Sequence, residues 1–402
     1  MFELLSPNDQ TPRITVFGVG GCGCNTINQL SQSAIGDNVQ LVAVNTDAQS
    51  LTLSQCCTRL QIGQQVTKGL GAGARPQKGY EAAKESDAEI RDLIEQADVV
   101  FITGGMGGGT GTGAIPFMAS VAAELNKPLV AVVTTPFSIE GHQRSKIAKA
   151  GIDELMQQAD AVIVLPNDKL LEALDKKISL VNAFYQSNRI LQDVLQGLTT
   201  TISQSGLINI DLNDFVEVIS HHGRAAMGVA KQMQGDDLQL TINNALKNPL
   251  LEQIDLTKAK GAIVSVMATD QIELSQYNCI GATLQQQLDP DALVIIGLTI
   301  VPELDCELEL MVIATGITDE PMGDISKVDD VTHIQIADKL DDEVLSKESD
   351  KELAKPTTIN KHRFDTSELL NLHDFLKEKS ARAINMPEEE LDIPTYTRKQ
   401  KC

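Results

Sequence analysis

The run GGMGGGTGTG at 104–113 constrains this chain more than any other feature. It follows directly on DVVFIT (98–103), which reads as a buried strand, and it precedes the apolar run 116–125, which reads as a helix. Glycine loses more backbone freedom on folding than any other residue, so so dense a run needs a reason. Consecutive N–H groups in such a loop can converge on a phosphate. The hydroxyls of Thr110 and Thr112 can donate to the same anion, and a helix N-terminus behind them adds favourable potential. A loop for a chain of phosphates is the reading; a bare tight turn is the alternative.

A second glycine loop, GVGGCGCN (18–25), follows the strand-like ITVF (14–17) and opens a helical stretch at 26–33. Alone it is a weak signal, because GxGGxG also opens dinucleotide-binding domains, and Asp47 lies where such a domain places a ribose-binding acid. A nicotinamide enzyme is therefore a rival at this point. The rival leaves the 104–113 run unexplained. A third loop, GLGAGARP (69–76), offers N–H groups but no base, and GxxxxGK[ST] is absent, which excludes a P-loop.

Strand-like runs at 39–44, 129–134 and 160–165 alternate with helical patterns at 79–97 and 146–158. That rhythm predicts an α/β fold, a doubly wound parallel sheet with ligand loops at the strand C-termini. A long helical pattern covers 178–203. The stretch 212–233 reads as mostly helical with a break near Gly223, followed by strands at 262–268, 292–298 and 308–314 and a helix at 279–288. Beyond 316 the pattern changes: residues 317–390 hold 19 acidic and 10 basic residues and read as an acidic disordered linker. The closing LDIPTYTRKQKC (391–402) joins apolar anchors to a basic end, as a docking peptide would.

The net charge of −22, from 55 acidic and 33 basic residues, repels nucleic acid and anionic lipid. Aromatic residues are only 3%, so the cores must rest on Ile, Val, Leu and Ala. The N-terminal MFELLSPNDQTPR lacks the apolar stretch of a signal peptide, and no window is long and apolar enough for a membrane span, so a cytoplasmic protein is expected. The seven cysteines, including Cys22-Gly-Cys24 and the pair Cys56-Cys57, do not show zinc spacing and read as reduced thiols.

The motifs GVGGCGCN, AVNTDAQ (43–49), TKGLGAGARP (67–76), GGMGGGTGTGA (104–114), TTPFSIEGHQR (134–144), LPNDKLL (165–171) and SGLINIDLNDF (205–215) together resemble the FtsZ family, the bacterial relatives of tubulin. The resemblance runs through 11–316 and returns at 391–400. It implies a tubulin-like fold: a flexible lead (1–11), a Rossmann-like GTP-binding domain (12–177), a long central helix (178–203), a smaller α/β domain with the catalytic loop (204–316), the linker and the partner-binding peptide. It implies a GTP-dependent, polymerising cell-division protein that forms head-to-tail filaments and a ring at the septum. GTP/GDP and Mg²⁺ are the implied ligands, with metal ligands unassigned.

In this resemblance Gly21, Cys22, Gly23, Cys24 and Asn25 hold phosphate, with Gly73 and Ala74 beside the terminal phosphate and Gly108, Gly109, Thr110, Gly111 and Thr112 forming the main phosphate loop. Glu140 and Arg144 lie near ribose and phosphates, Asn167 and Asn188 read guanine, and Phe184 stacks beside it. Asn209, Asp211 and Asp214 are the implied catalytic group, acting on the nucleotide of a neighbouring subunit; helix capping is the alternative role for either Asp. The implied partners are further copies of the chain and, through 391–400, membrane-tethering and regulatory division proteins at mid-cell. Direct nucleic-acid contact is not implied, and membrane contact comes only through adaptors.

The chain departs from the family pattern in places. Cys22 and Cys24 stand where the family's loop is glycine, and glycine is expected to be accepted at both. Arg189 follows Asn188, the segment around His221-His222 and Arg224 carries more charge, and Tyr396-Thr397 replaces an aromatic–Leu pair. These features leave a divergent paralogue, or a tubulin-like filament with another task, as alternatives.

Overall fold

Ten strands among the described residues join in one sheet. In chain order they are β1 (Ile14–Val19), β2 (Val39–Asn45), β3 (Thr58–Gln61), β4 (Val99–Gly105), β5 (Leu129–Thr135), β6 (Ala161–Pro166), β7 (Arg224–Gln232), β8 (Gly261–Ala268), β9 (Leu293–Ile300) and β10 (Leu308–Ile317). The helices are α1 (Gly20–Leu30), α2 (Ala48–Thr52), α3 (Gln64–Thr67), α4 (Pro76–Glu85), α5 (Asp87–Glu95), α6 (Thr110–Glu124), α7 (His142–Leu155), α8 (Asn167–Glu172), α9 (Leu180–Ser203), α10 (Leu212–Ile219), α11 (Leu238–Leu246) and α12 (Leu274–Gln287). The computed structural model describes residues 11–33, 35–172, 179–203, 206–221, 224–246, 256–302 and 304–317, all within one compact unit. The expected linker and tail peptide lie outside the described residues.

The strand order is β3-β2-β1-β4-β5-β6-β7-β10-β8-β9. The first six strands in chain order run parallel, so the loops after β1, β4, β5 and β6 open on one edge. β6 touches β7 at only two register pairs, Val162↔Arg224 and Ile163↔Ala225. Beyond that seam β7, β10 and β8 are antiparallel, and β9 lies parallel to β8. The architecture is α/β, a parallel half and a mixed half of one sheet, with the long helix α9 between them in chain order.

Alternation along β1 sends Ile14 and Val16 to one apolar cluster and Phe17 and Val19 to another. The first cluster also takes Leu191, Val194, Leu195, Leu198 and Ile202 from α9, the three- and four-residue spacing of one helix face. The second packs α4–α7 against the other face. Among the described residues no helix is long and apolar enough to cross a membrane.

Several sequence expectations change. The mostly helical 212–233 stops at Ile219, and its second half is the strand β7. RAAMGVAKQ is rich in helix formers, but pairing with β6 and β10 overrides that preference. The helix expected at 116–125 begins at Thr110, through glycines that allow very close packing: a Cβ on Gly113 would lie 2.0 Å from the Pro76 carbonyl oxygen. The 79–97 pattern is two helices that meet at Ser86.

Candidate functional site: a cleft at the strand ends and a distant carboxylate loop

The loops after β1, β4, β5 and β6, with the first turns of α9, enclose a cleft of about 440 Å³. Small-ligand sites occupy roughly 300–1,000 Å³. Two helix N-termini face it, those of α1 and α6. Neither has a side-chain cap, and neither carries an acidic residue in its first turn. Their orphan N–H groups and helix dipoles therefore favour an anion in the cleft. Gly20 turns the chain into α1 with φ +74°, a conformation that disfavours side chains. Gly21 and Gly108 face open space, so a ligand can approach their backbone closely.

The threonines of the 104–113 run divide their roles. Thr110 lines the cleft and meets the Thr46 hydroxyl at 2.6 Å, tying the end of β2 to α6. Thr112 is buried, and its hydroxyl accepts the Gly107 N–H at 2.9 Å. It shapes the loop rather than lining the cleft. Gly109 and Gly111 line the cleft beside Thr110.

Asn167, from the start of α8, and Phe184 and Asn188, one turn apart on α9, also line the cleft. Phe184 stands edge-on against Phe137, with centroids 5.0 Å apart. Its ring is 40% exposed and free to cover a ligand. Glu140 pairs with Arg144 and accepts the Phe137 N–H at 2.9 Å, which fixes the loop after β5 where it meets α7. Asn25 lies on the cleft wall with Gly21 and Cys22.

Cys22 and Cys24 point in different directions. Cys22 lines the cleft, half-buried, and burial pushes its thiol up to about 11. Cys24 is buried in the core, its thiol facing the Gly18 and Val44 carbonyls at 3.7 and 3.6 Å. Burial raises that thiol to about 12. Glycine at 24 would leave a cavity, so the expected tolerance does not extend to it. Gly23 is also turned inward, where a Cβ would lie 2.5 Å from the Thr103 carbonyl oxygen.

Gly73 and Ala74 are likewise outside the cleft wall. Both adopt left-handed backbone, φ +62° and +56°, and their loop backs onto Gly109, where a Cβ would lie 3.2 Å from the Ala74 nitrogen. In this chain the loop buttresses the 104–113 glycine run.

Asn209, Asp211 and Asp214 are exposed and stand together at the start of α10. Asp211 is the N-cap, accepting the Asn213 N–H at 3.4 Å, and the Asn209 side chain accepts the Gly206 N–H. None of the three lines the cleft. From Asn188, the last α9 residue on the cleft wall, to Ser203 at the end of the helix is 15 residues, about 22 Å at 1.5 Å per residue. The N-terminal turns of α9 line the cleft. Its last residue, Ser203, has its hydroxyl 3.2 Å from the place a Gly36 Cβ would take, in the loop that enters β2. The cleft opens at the C-terminal ends of the parallel strands, and the carboxylate loop, which follows the far end of α9, is bridged to β9 through Ile208 and Leu298.

The model of the "Tubulin/FtsZ family, GTPase domain" matches residues 13–175, and that of the "FtsZ family, C-terminal domain" matches 223–318. The cell division protein FtsZ of Wigglesworthia glossinidia brevipalpis is 38% identical over 387 residues, 96% of each chain. This chain belongs to the FtsZ family. The FtsZ of Coxiella burnetii is 41% identical over 317 residues, 79% of this chain and 82% of that one. Among solved structures, an empty FtsZ dimer from M. jannaschii superposes with a TM-score of 0.73 at 38% identity, covering 78% of this chain and 93% of that chain. CetZ2 from Haloferax volcanii, 21% identical, shares the fold with a TM-score of 0.65 over 76% of this chain and 93% of its own.

As an FtsZ-family GTPase domain, the 13–175 segment supplies most of the cleft wall. Val19, Gly20, Gly105 and Met106 also line it, within the two glycine runs but not singled out from the sequence, and Thr134, Pro136 and Ser187 were not named as site residues at all. Thr134 and Pro136 sit at and just beyond the end of a parallel strand, a signal already used for the glycine loops. Ser187 had only its place beside Asn188 to mark it. Among the described residues no group of three His, Cys, Asp or Glu side chains is arranged to hold a metal. Among the described residues Glu140 is the one carboxylate lining the cleft, and it is paired with Arg144. The side chains described do not form a metal cage for the Mg²⁺ that FtsZ resemblance implies.

Proposed function

We propose that this chain is a polymerising cell-division GTPase that hydrolyses GTP to GDP and phosphate at the contact between successive subunits. One observation carries the reading: the cleft and the Asn209–Asp211–Asp214 loop stand at opposite ends of α9, too far apart to act together within one chain. A head-to-tail contact places the carboxylate loop of one copy over the cleft of the next. The relative from M. jannaschii, solved as a dimer, supports self-association.

In this reading the phosphates lie on the N-termini of α1 and α6, against Gly21, Cys22, Asn25 and Gly108–Thr110. Arg144 is the one cation lining the cleft among the described residues, and it can turn from Glu140 to a phosphate oxygen. The base lies by Phe184, Asn167 and Asn188. The second copy's Asp211 and Asp214 accept hydrogen bonds from a water and orient its oxygen toward the γ-phosphorus, in line with the departing GDP oxygen. Asn209 supports that water. Phosphoryl transfer of this kind depends mainly on positioning and electrostatic stabilisation. Residues 391–400, outside the described residues, dock the membrane-tethering and regulatory partners that place the filament in a ring at the mid-cell septum.

Sedimentation with GTP, GDP or a non-hydrolysable analogue, with phosphate release followed in parallel, tests the proposal. Pelleting with GTP and turnover that sets in with pelleting support it. Turnover without any assembly refutes it.

A further inference from the structure

The two cleft asparagines are each held from behind. The Ser187 hydroxyl donates to Asn167 Oδ1 at 2.7 Å, inside the protein. The Cys22 thiol donates to Asn188 Oδ1 at 3.5 Å and also meets the Thr134 hydroxyl at 3.9 Å. Each carboxamide therefore has its carbonyl engaged by the protein. Neither Nδ2 has a protein acceptor among the described residues, and both side chains line the cleft. With the thiol raised to about 11, Cys22 remains a donor at every physiological pH.

We propose that Cys22 and Ser187 are positioning residues for base specificity, holding Asn188 and Asn167 so that both present NH₂ donors to the nucleotide. This rests on the reading of the cleft as a GTP site and deepens it. A carboxamide free to turn over can offer a donor or an acceptor; one whose oxygen is held by the protein turns its NH₂ toward the ligand. Two donors suit a base edge rich in acceptors. Guanine carries O6 and N7 as acceptors side by side, whereas adenine places its 6-amino donor next to N7. Adenine entering the same way would set donor against donor. Cost of that kind, an unmet polar group in a closed site, is what lets hydrogen-bonding sites reject near-isosteres strongly.

The two tethers differ in strength. A thiol is a weak donor, and 3.5 Å is ordinary for sulfur. The Ser187 contact is a short hydroxyl bond between two side chains that are both almost wholly buried. Ser187 should accordingly set most of the discrimination and Cys22 the smaller share.

The test measures equilibrium affinity of the full chain for GTP and ATP in wild type, Cys22→Ala, Cys22→Ser, Ser187→Ala and the Cys22→Ala/Ser187→Ala double variant. The GTP-over-ATP preference is expected to fall about 3-fold in Cys22→Ala and 10-fold or more in the double variant, mostly by a gain in ATP binding. Cys22→Ser, which restores a hydroxyl donor, is expected to keep the wild-type preference. A preference unchanged in both alanine variants overturns the proposal, and so does equal weakening for both nucleotides. If Ser187→Ala fails to fold, the contrast between Cys22→Ala and Cys22→Ser decides on its own, because Cys22 is only half-buried. Wild-type chain that fails to bind GTP refutes the GTP-site reading itself, which is a separate result.

Discussion

Ile208 and Leu298 exchange two backbone hydrogen bonds, 3.2 and 2.9 Å long, that pin the 206–211 loop to the edge strand β9. Ile210 is buried over Gly297, where a Cβ would lie 2.8 Å from the isoleucine side chain. Gly206 runs as close, 2.4 Å from the Leu298 carbonyl oxygen by the same measure. The carboxylates are thus presented on a loop whose backbone has little room to move. Gly206→Val forces that loop outward, at about 1–3 kcal/mol in stability as for other overpacked positions. Turnover should fall at least tenfold while GTP affinity stays within twofold, checked by phosphate release and equilibrium dialysis.

Asp211 has two separable jobs. It caps α10 through the Asn213 N–H, and it is the proposed water-orienting group. Asparagine caps helices about as well as aspartate, whereas alanine loses about 1 kcal/mol. Asp211→Asn should keep the wild-type melting temperature and lose turnover at least tenfold. Asp211→Ala should lose both. Normal turnover in a stable Asp211→Asn protein would leave capping as the residue's only role.

The glycines of the 104–113 loop, the proposed phosphate site, should respond differently to enlargement. A side chain on Gly108 meets nothing within 4 Å and projects into the cleft, whereas one on Gly111 starts 2.5 Å from the Gly105 carbonyl oxygen. Gly108→Trp is expected to fold with little change in melting temperature and to lose GTP binding. Gly111→Val is expected to lose stability by several kcal/mol, as overpacked backbone positions can. Thermal melts with and without GTP distinguish the two.

Thiol chemistry supplies a pH prediction. Folding raises Cys22 to about 11 and Cys24 to about 12 from an ordinary 9.0. A group raised on folding contributes stability that is complete below the unfolded value and lost as pH rises through the folded one. Stability from these two thiols should hold below pH 9 and fall between about pH 9 and 12. At pH 7.5 the exposed Cys57 should alkylate well before Cys22 and Cys24, read by mass spectrometry of peptides. Rapid labelling of Cys24 in the folded chain would contradict its placement in the core.

The parallel half of the sheet was legible because its strands are buried on both faces and read as unbroken apolar runs, as VVFIT and LVAVV do. β7 was not legible, since Ala225, Ala226, Met227 and Gly228 carry no strand signal and only their neighbours in the sheet make them a strand. Motif resemblance singled out Asn167, Phe184 and Asn188, and all three line the cleft although they come from two different elements, α8 and α9. It could not tell wall from buttress. Thr112, Gly23, Cys24, Gly73 and Ala74 belong to the same glycine loops, yet they support the wall from behind, and only packing determines which side a residue faces.

The central claim is that each active site is completed by a second copy, and complementation tests it most directly. Asp211→Ala keeps an intact cleft and lacks the carboxylate; Gly108→Trp keeps the carboxylate loop and has a blocked cleft. Each alone should release phosphate at background rate. Mixed in equal amounts, they should recover a clear part of the wild-type rate, because the Gly108→Trp copy can offer its Asp211 to GTP held by the Asp211→Ala copy. A mixture as inactive as its components, with both variants folded and co-sedimenting, would contradict the shared site.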